Sequence, residues 1–315
     1  MFKGREIALL TIMLVLAPVA ASCGGDDGGG EGELTGTIRI DGSSTVAPLS
    51  EAAAELFQEV NPGVQVTVGT SGTGGGFEKF CNGETEISDA SRPIADDEVA
   101  ACGENGVSFE QVTVANDALS VLVNPDNPVE CLSVEQLNQI WGPGSKLRSW
   151  SEIDGLEPAF DESLALYGPG TDSGTFDYFT DAINGEEGAQ RTDYNNIGED
   201  DNTGIVGVEG SLGGMFYVGF SYFVENQDRV KALSIDGGSG CVEPSFETVQ
   251  GGTYTPLGRG LFIYPSSAAL EKPEVLAFVE FYIENQAEIT EAAGYISLTP
   301  EQEDEALAKV ESLTG

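Results

Sequence analysis

The stretch DGSSTVAPLS, Asp41 to Ser50, joins two segments with different periods. Before it, TGTIRI (Thr35 to Ile40) alternates polar and apolar residues as a strand does. After it, EAAAELFQEV (Glu51 to Val60) repeats its apolar residues at helical spacing. Pro48 falls in the first turn of that helix, where a missing N–H costs nothing. A strand that turns through Gly-Ser-Ser-Thr directly into a helix has two readings. Ser and Thr are good helix caps. A helix start also exposes unpaired N–H groups and partial positive charge, which suit an anion.

The same alternation continues along the chain. VQVTVG (64–69), SLALYGPG (163–170), VKALSI (230–235) and GRGLFIYP (258–265) supply further strands, and GGMFYVGFSYFVEN (213–226) reads as a strand entering an aromatic-rich helix. SVEQLNQIWG (133–142), TFDYFTDAING (175–185) and KPEVLAFVEFYIENQ (272–286) supply helices. TPEQEDEALAKV (299–310) reads as a capped surface helix. TSGTGGG (70–76) reads as a loop before a short helix in FEKFCNG. VSFEQVTVANDALSVLVNP (107–125) reads as two strand runs separated around Asn116 and Asp117. No repeat of fixed period occurs. Strands alternating with helices predict an α/β fold with largely parallel sheets. Ligands in such folds sit beyond the carboxyl ends of strands, where helices begin.

Composition narrows the function classes. The chain has 315 residues, 40% hydrophobic and 21% charged, enough for two lobes with buried cores. It has no histidine, which removes the Ser-His and Cys-His pairs and His-ligated zinc sites. A formal charge of −40 argues against nucleic acid, whose phosphates need clustered Lys and Arg. It leaves room for a small anion, because a buried site is decided by donors a few ångströms away. The segment 1–22, with Lys3 and Arg5 before a short apolar run, reads as a signal peptide. Ala20-Ala21-Ser22-Cys23 resembles a bacterial lipoprotein cleavage site, with Cys23 lipidated and 23–33 a flexible tether. Cys81, Cys102, Cys131 and Cys241 remain, an even number suited to an oxidising compartment. Three pairings are open. The expected one joins Cys81 to Cys102 and Cys131 to Cys241. The spacing lacks any C-x-x-C pair, which disfavours a thiolate metal site.

Three short segments combine hydroxyls with glycine: GSSTV (Gly42 to Val46), TSGTGGG (Thr70 to Gly76) and TDSGTF (Thr171 to Phe176). None is a Walker-type loop, since no Gly-Lys-Ser/Thr follows. EDDN (Glu199 to Asn202) has contiguous rather than alternating carboxylates, so it reads as a turn or cap and not a calcium loop. No metal or other cofactor is expected.

Together DGSSTVAPL, TSGTGGGFEKF, ISDASRPI, LYGPGTDSGTFDYF and GEDDN, in that order, resemble the PstS/SphX-type periplasmic binding proteins of phosphate ABC transporters. The resemblance runs from about Thr37 to near the C-terminus. It implies a two-lobed periplasmic-binding-protein fold, each lobe a mixed, mostly parallel sheet flanked by helices, with the ligand in the interlobe cleft. Lobe one would take 34–115 and 256–315, and lobe two 116–255. By motif position, Ser44, Thr45 and Val46 match the first helix-start loop, with Val46 offering a backbone N–H. Ser71 or Thr73 matches the second loop, and Ser173, Gly174 and Thr175 match the third. Two departures stand out. The family's arginine four residues before Ser-Gly-Thr is Pro169 here. Its proton-reading carboxylate falls on Ser91, with Asp89 two residues earlier on the same face of an extended strand. Arg92 is the candidate replacement guanidinium, or else half of a surface ion pair. Asp172 is the other candidate proton acceptor, or else a turn aspartate.

The resemblance thus implies a lipid-anchored extracytoplasmic receptor, a monomer and not an enzyme, that captures inorganic phosphate for the membrane subunits of an ABC permease. Alternatives are another tetrahedral oxyanion (sulfate, molybdate or arsenate), a secreted phosphoesterase, or a phosphate sensor that feeds no transporter. Hydrogen phosphate both donates and accepts, whereas sulfate only accepts. A fixed carboxylate in the cleft would therefore select phosphate by several kcal/mol.

Overall fold

A computed structural model describes residues 33–171, 173–198 and 200–314 of the chain. The expected signal peptide, Cys23, Asp172 and Glu199 lie outside the described residues.

The chain begins β1 (Gly36–Gly42), α1 (Ala47–Val60), β2 (Val64–Gly69), α2 (Gly72–Cys81), β3 (Ile87–Ala90) and α3 (Asp96–Glu104). A long strand β4 (Val112–Val123) leads to β5 (Cys131–Ser133), α4 (Val134–Trp141), β6 (Ala165–Gly168) and α5 (Gly174–Asn184). Then come β7 (Asn195–Asn196), α6 (Asp201–Glu209), β8 (Gly214–Gly219) and α7 (Phe220–Glu225). The short elements β9 (Lys231–Ala232), β10 (Ser234–Asp236), β11 (Cys241–Val242) and α8 (Phe246–Gln250) follow. Strand β12 (Gly258–Pro265) returns, and α9 (Ser267–Leu270), α10 (Pro273–Glu284), α11 (Gln286–Ala293) and α12 (Pro300–Thr314) close the chain.

One hydrogen-bonded path runs β2-β1-β3-β12-β4-β8-β6-β7, with β9 beside β4; β5, β10 and β11 form a small second sheet. The main sheet is parallel at both ends, where β1 pairs β2 and β3 and where β6 pairs β7 and β8. Its middle is antiparallel, because β12 runs against β3 and β4, and β4 runs against β8. The sheet is therefore less parallel than the strand–helix alternation predicts. Strand β4 pairs with β12 as far as Ala118 and with β8 from Leu119 onward. The two crossing strands thus carry the chain from one half of the molecule to the other in a two-lobed architecture.

Strand β4 also corrects the expectation of a break at Asn116 and Asp117. Both polar residues lie inside a continuous strand because its neighbours satisfy them. Asn116 exchanges backbone hydrogen bonds with Ile296, and its Nδ2 donates to Ser297 O (3.2 Å) and Gln302 Oε1 (3.1 Å). Asp117 meets Arg259, its register partner on β12. The expected loop TSGTGGG differs too, since helix α2 already begins at Gly72. Its glycines let the helix lie directly on the end of β1. A Cβ on Gly76 would come within 2.5 Å of Gly42 Cα and 2.9 Å of Asp41 O.

Buried apolar side chains form two principal sets. One gathers Ile38, Phe57, Ile87, Val114, Ile263 and Phe278. The other gathers Leu119, Trp141, Trp150, Phe179, Tyr217 and Tyr254. The aromatic run at 215–218 is core, with Tyr217 stacked on Phe179 at 3.8 Å between ring centres. Disulfides join Cys81 of α2 to Cys102 of α3, and Cys131 of β5 to Cys241 of β11. The second closes 110 residues and the first only 21. Loop-closure entropy then makes them worth about 5 and about 3 kcal/mol respectively. Replacing Cys131 and Cys241 together by serine should lower the urea unfolding midpoint more than replacing Cys81 and Cys102. The reverse order would show that strain or residual structure, not loop closure, sets their contributions.

Candidate functional site

Glycine at position 42 is required where β1 ends. Its φ is +152°, and a Cβ there would run into the backbone of Asp89. The turn that follows is held by its own bonds. Ser43 N donates to Asp89 O (2.9 Å), Ser43 O accepts from Val46 N (3.2 Å) and Ala47 N (3.0 Å), and Ser43 Oγ accepts from Thr45 N (3.2 Å). Ser44 and Thr45 are left at the outer edge of the turn, at the start of α1.

From the other half of the molecule, Ser173 caps α5, its Oγ accepting from Thr175 N at 3.3 Å. The two helix starts face one another. A Cβ on Gly174 would lie 3.2 Å from Thr45 Oγ1, a tight contact that would push Thr45 back by a few tenths of an ångström. A third wall comes from the start of α2 and the end of β3. Thr73 Oγ1 and Ser91 Oγ are 3.2 Å apart, and Ser91 N donates to Thr73 Oγ1 (3.3 Å). One hydroxyl proton joins this pair, which leaves the other proton to donate elsewhere. Ser71 hydrogen-bonds through its hydroxyl and its N–H to Asp41, which also takes Lys79 Nζ at 2.6 Å.

Arg259 of β12 stands where these walls meet. Its Nε and Nη2 donate to Asp117 Oδ2 (3.2 and 3.1 Å), Nη1 to Ser91 O (3.3 Å) and Nη2 to Thr45 Oγ1 (3.4 Å). The guanidinium lies 3.4 Å above the ring of Tyr178 on α5, whose hydroxyl donates to Pro256 O (2.9 Å). Contacts with four separate segments of the chain fix the fork rigidly. Five guanidinium protons less these four bonds leave one donor, and Thr45, an acceptor from Arg259, keeps its own hydroxyl proton to give. Tyr295 Oη anchors the same turn by donating to Thr45 O (2.8 Å). Two cavities flank the junction, one of about 290 Å³ and one of about 800 Å³. Ser44, Thr45, Gly174 and Arg259 line both.

The PBP superfamily domain model matches residues 28–286. Among curated relatives, Protein SphX of Synechococcus elongatus is 45% identical over 264 residues, 83% of this chain and 77% of the relative. The Phosphate-binding protein PstS of Staphylococcus saprophyticus is 34% identical over 301 residues, 93% of this chain and 90% of the relative. A crystal structure described as a possible phosphate binding protein from Planctomyces limnophilus superposes with a TM-score of 0.84 at 42% identity, covering 90% of this chain and all of that one. The chain belongs to the PstS/SphX family of periplasmic binding proteins. It is a solute-binding protein and not an enzyme.

Most but not all of the residues singled out from the sequence line one or both of the two cavities. Ser173 and Thr175 line only the smaller cavity, and Ser71, Thr73, Ser91 and Arg92 only the larger. Val46 lines neither. It is fully buried and its N–H is spent on Ser43, so its role is packing and turn closure. Asp89 lines neither cavity as well. Strand β3 ends at Ala90, so the period of two does not carry over from Asp89 to Ser91. The Asp89 carboxyl is fully buried and turns onto Ser50 of α1 at 2.9 Å. Arg92 reaches the larger cavity, but its guanidinium is held bidentately by Glu98 (2.8 Å at both oxygens). The surface ion pair weighed in the sequence is therefore formed, and a different guanidinium occupies the junction. Arg259 and Asp117 escaped sequence reading. Arg259 sits inside an apolar strand pattern, and its partner is 142 residues away.

Arg259 and Asp117 are both largely buried, with side-chain exposures of 17% and 11%. Removing one partner of such a pair strands the other and costs about 3–5 kcal/mol, whereas apolar replacement of both is close to neutral. Arg259→Met and Asp117→Leu should each show that loss in urea unfolding, and the double variant should recover most of it. Additive losses in the double variant would mean that the two side chains stabilise the junction independently.

Proposed function

We propose that this chain is an extracytoplasmic receptor that captures inorganic phosphate in the cleft and delivers it to an ABC permease. The observation that carries the reading is the Arg259 guanidinium, fixed where the starts of α1 and α5 oppose one another. Two helix N-termini, a guanidinium and spare hydroxyl protons on Thr45 and on the Thr73–Ser91 pair make a donor-rich surface for a tetrahedral anion. Charge-assisted hydrogen bonds contribute roughly 1.5–3 kcal/mol each, so about half a dozen reach the −8 kcal/mol of micromolar binding after closure costs. The names of the PstS relatives and of the Planctomyces structure agree with phosphate.

Asp117 is the carboxylate we assign to reading the ligand's proton. It lines the smaller cavity beside Thr45 and Arg259, and both bonds from Arg259 go to one of its oxygens, Oδ2. Oδ1 is then the oxygen that accepts the proton of hydrogen phosphate. Sulfate would place a second anionic oxygen against it.

Residues 34–115 with 256–315, and 116–255, are proposed as the two lobes. The division of buried side chains into one set ending at Ala115 and resuming at Leu261, and another spanning mainly Ala118 to Leu257, supports this. Closure then turns on β4 and β12. The two disulfides suit an oxidising compartment outside the cytoplasm. Attachment through a lipidated Cys23, which the tether to residue 33 would let reach a permease, completes the proposal, with the receptor acting as a monomer.

Calorimetric titration of the chain from residue 24, freed of ligand by partial unfolding and refolding, tests it. Phosphate should bind at micromolar concentration or tighter and sulfate should give no heat. Asp117→Asn should weaken phosphate at least tenfold and narrow the gap to sulfate. Sulfate binding as tight as phosphate in the unaltered protein would overturn the ligand assignment.

A further inference from the structure

Asp89 lies directly behind the anion turn without lining the cleft. It pairs with Gly42 in the β1–β3 ladder, and its carbonyl holds Ser43 N. Its carboxyl is fully buried, Oδ1 accepts from Ser50 Oγ at 2.9 Å, and Oδ2 has no hydrogen-bond partner. Ser50 belongs to the first turn of α1, and its Oγ is 3.3 Å from the Tyr282 hydroxyl of α10.

The other groups facing this carboxyl give it no cation. Asp41 approaches from β1 and Glu51 from α1, both acidic. Tyr282 faces it from α10, its phenol held neutral by burial. Its register partner on β12 is Ile263. Among the described residues no lysine or arginine is ion-paired with it. Burial, opposed in part by the Ser50 hydrogen bond and reinforced by Asp41 and Glu51, raises its pKa to about 7. A charge on Asp89 and an anion at Ser44 and Thr45 would occupy opposite sides of one turn and draw on the same helix start. In a partly dehydrated interior two like charges so placed oppose each other.

We propose that Asp89 is a proton-linked positioning residue: filling the cleft with an anion drives its carboxyl to take up a proton from solvent, so that affinity follows pH through a group that never touches the ligand. This rests on the phosphate reading. The sign follows from linkage. Well below pH 7 the carboxyl is neutral in the empty and the filled protein, and it does not affect binding. As pH rises through about 7 it ionises first in the empty protein. Binding then has to restore the proton or tolerate the repulsion, and affinity falls.

The test is calorimetric titration with inorganic phosphate from pH 6 to pH 9, in buffers of different ionisation enthalpy, for the unaltered protein and for Asp89→Asn and Ser50→Ala. Phosphate's own titration is common to all three and cancels in the comparison. At pH 6 the unaltered protein and Asp89→Asn should agree within about twofold. At pH 8.5 the unaltered protein should be weaker by several-fold, up to about tenfold, the scale of charge coupling at an effective dielectric constant near 20. Near pH 7.5 it should also take up more protons per phosphate than Asp89→Asn. Ser50→Ala removes the bond that favours the ionised carboxyl, so its inflection should move to higher pH. Equal slopes and equal proton counts in the unaltered protein and Asp89→Asn would overturn the linkage and leave the phosphate reading standing. Should Asp89→Asn fail to fold, an unmoved inflection in Ser50→Ala would overturn it instead. No phosphate binding at any pH would overturn both.

Discussion

Arg259 and Asp117 face each other across two antiparallel strands at the place where the sheet passes from one half of the molecule to the other. A buried ion pair of this kind is a poor source of net stability, because dehydrating both charges offsets most of their attraction. It serves geometry here. Asp117 orients the guanidinium, Tyr178 supports its face, and the remaining donors turn toward Ser91 and Thr45. Because those partners lie on different elements, the pair ties the relative placement of the helix starts to the strands that cross between lobes.

The rest of the cleft follows from backbone chemistry. Gly42 permits the turn to run against Asp89, Gly76 lets α2 lie on that turn, and Gly174 lets α5 approach Thr45. Each close approach places a hydroxyl or a helix start beside the junction without adding a cationic side chain. Such a donor set makes the proposed anion site compatible with a chain of formal charge −40. Surface carboxylates are screened within about 8 Å at physiological salt, while the cleft donors act at contact distance.

Much of this was legible in the chain. The switch from a period of two to a helical period across Asp41 to Ser50 located the turn, and Ser-Gly-Thr located the cap of α5, because both signals are local. Two features resisted. Asn116 and Asp117 resemble a strand break in one dimension, and only the contacts of Ile296, Ser297 and Arg259 show why the strand continues. Asp89 and Ser91 share a face on paper, but the strand stops between them and sends one carboxyl behind the turn while the hydroxyl remains in the cleft. Long-range pairing decided both cases, and spacing does not encode it.

In the proposed site, Arg259, held by Asp117, is the cation around which the anion is bound. Titrating inorganic phosphate into Arg259→Met at neutral pH, with folding verified by circular dichroism, tests it most directly. Losing a charge-assisted donor at the centre of the site should weaken binding by at least about tenfold to a hundredfold relative to the unaltered protein. Affinity within twofold of the unaltered protein would show instead that the anion is held elsewhere in the cleft, away from Arg259.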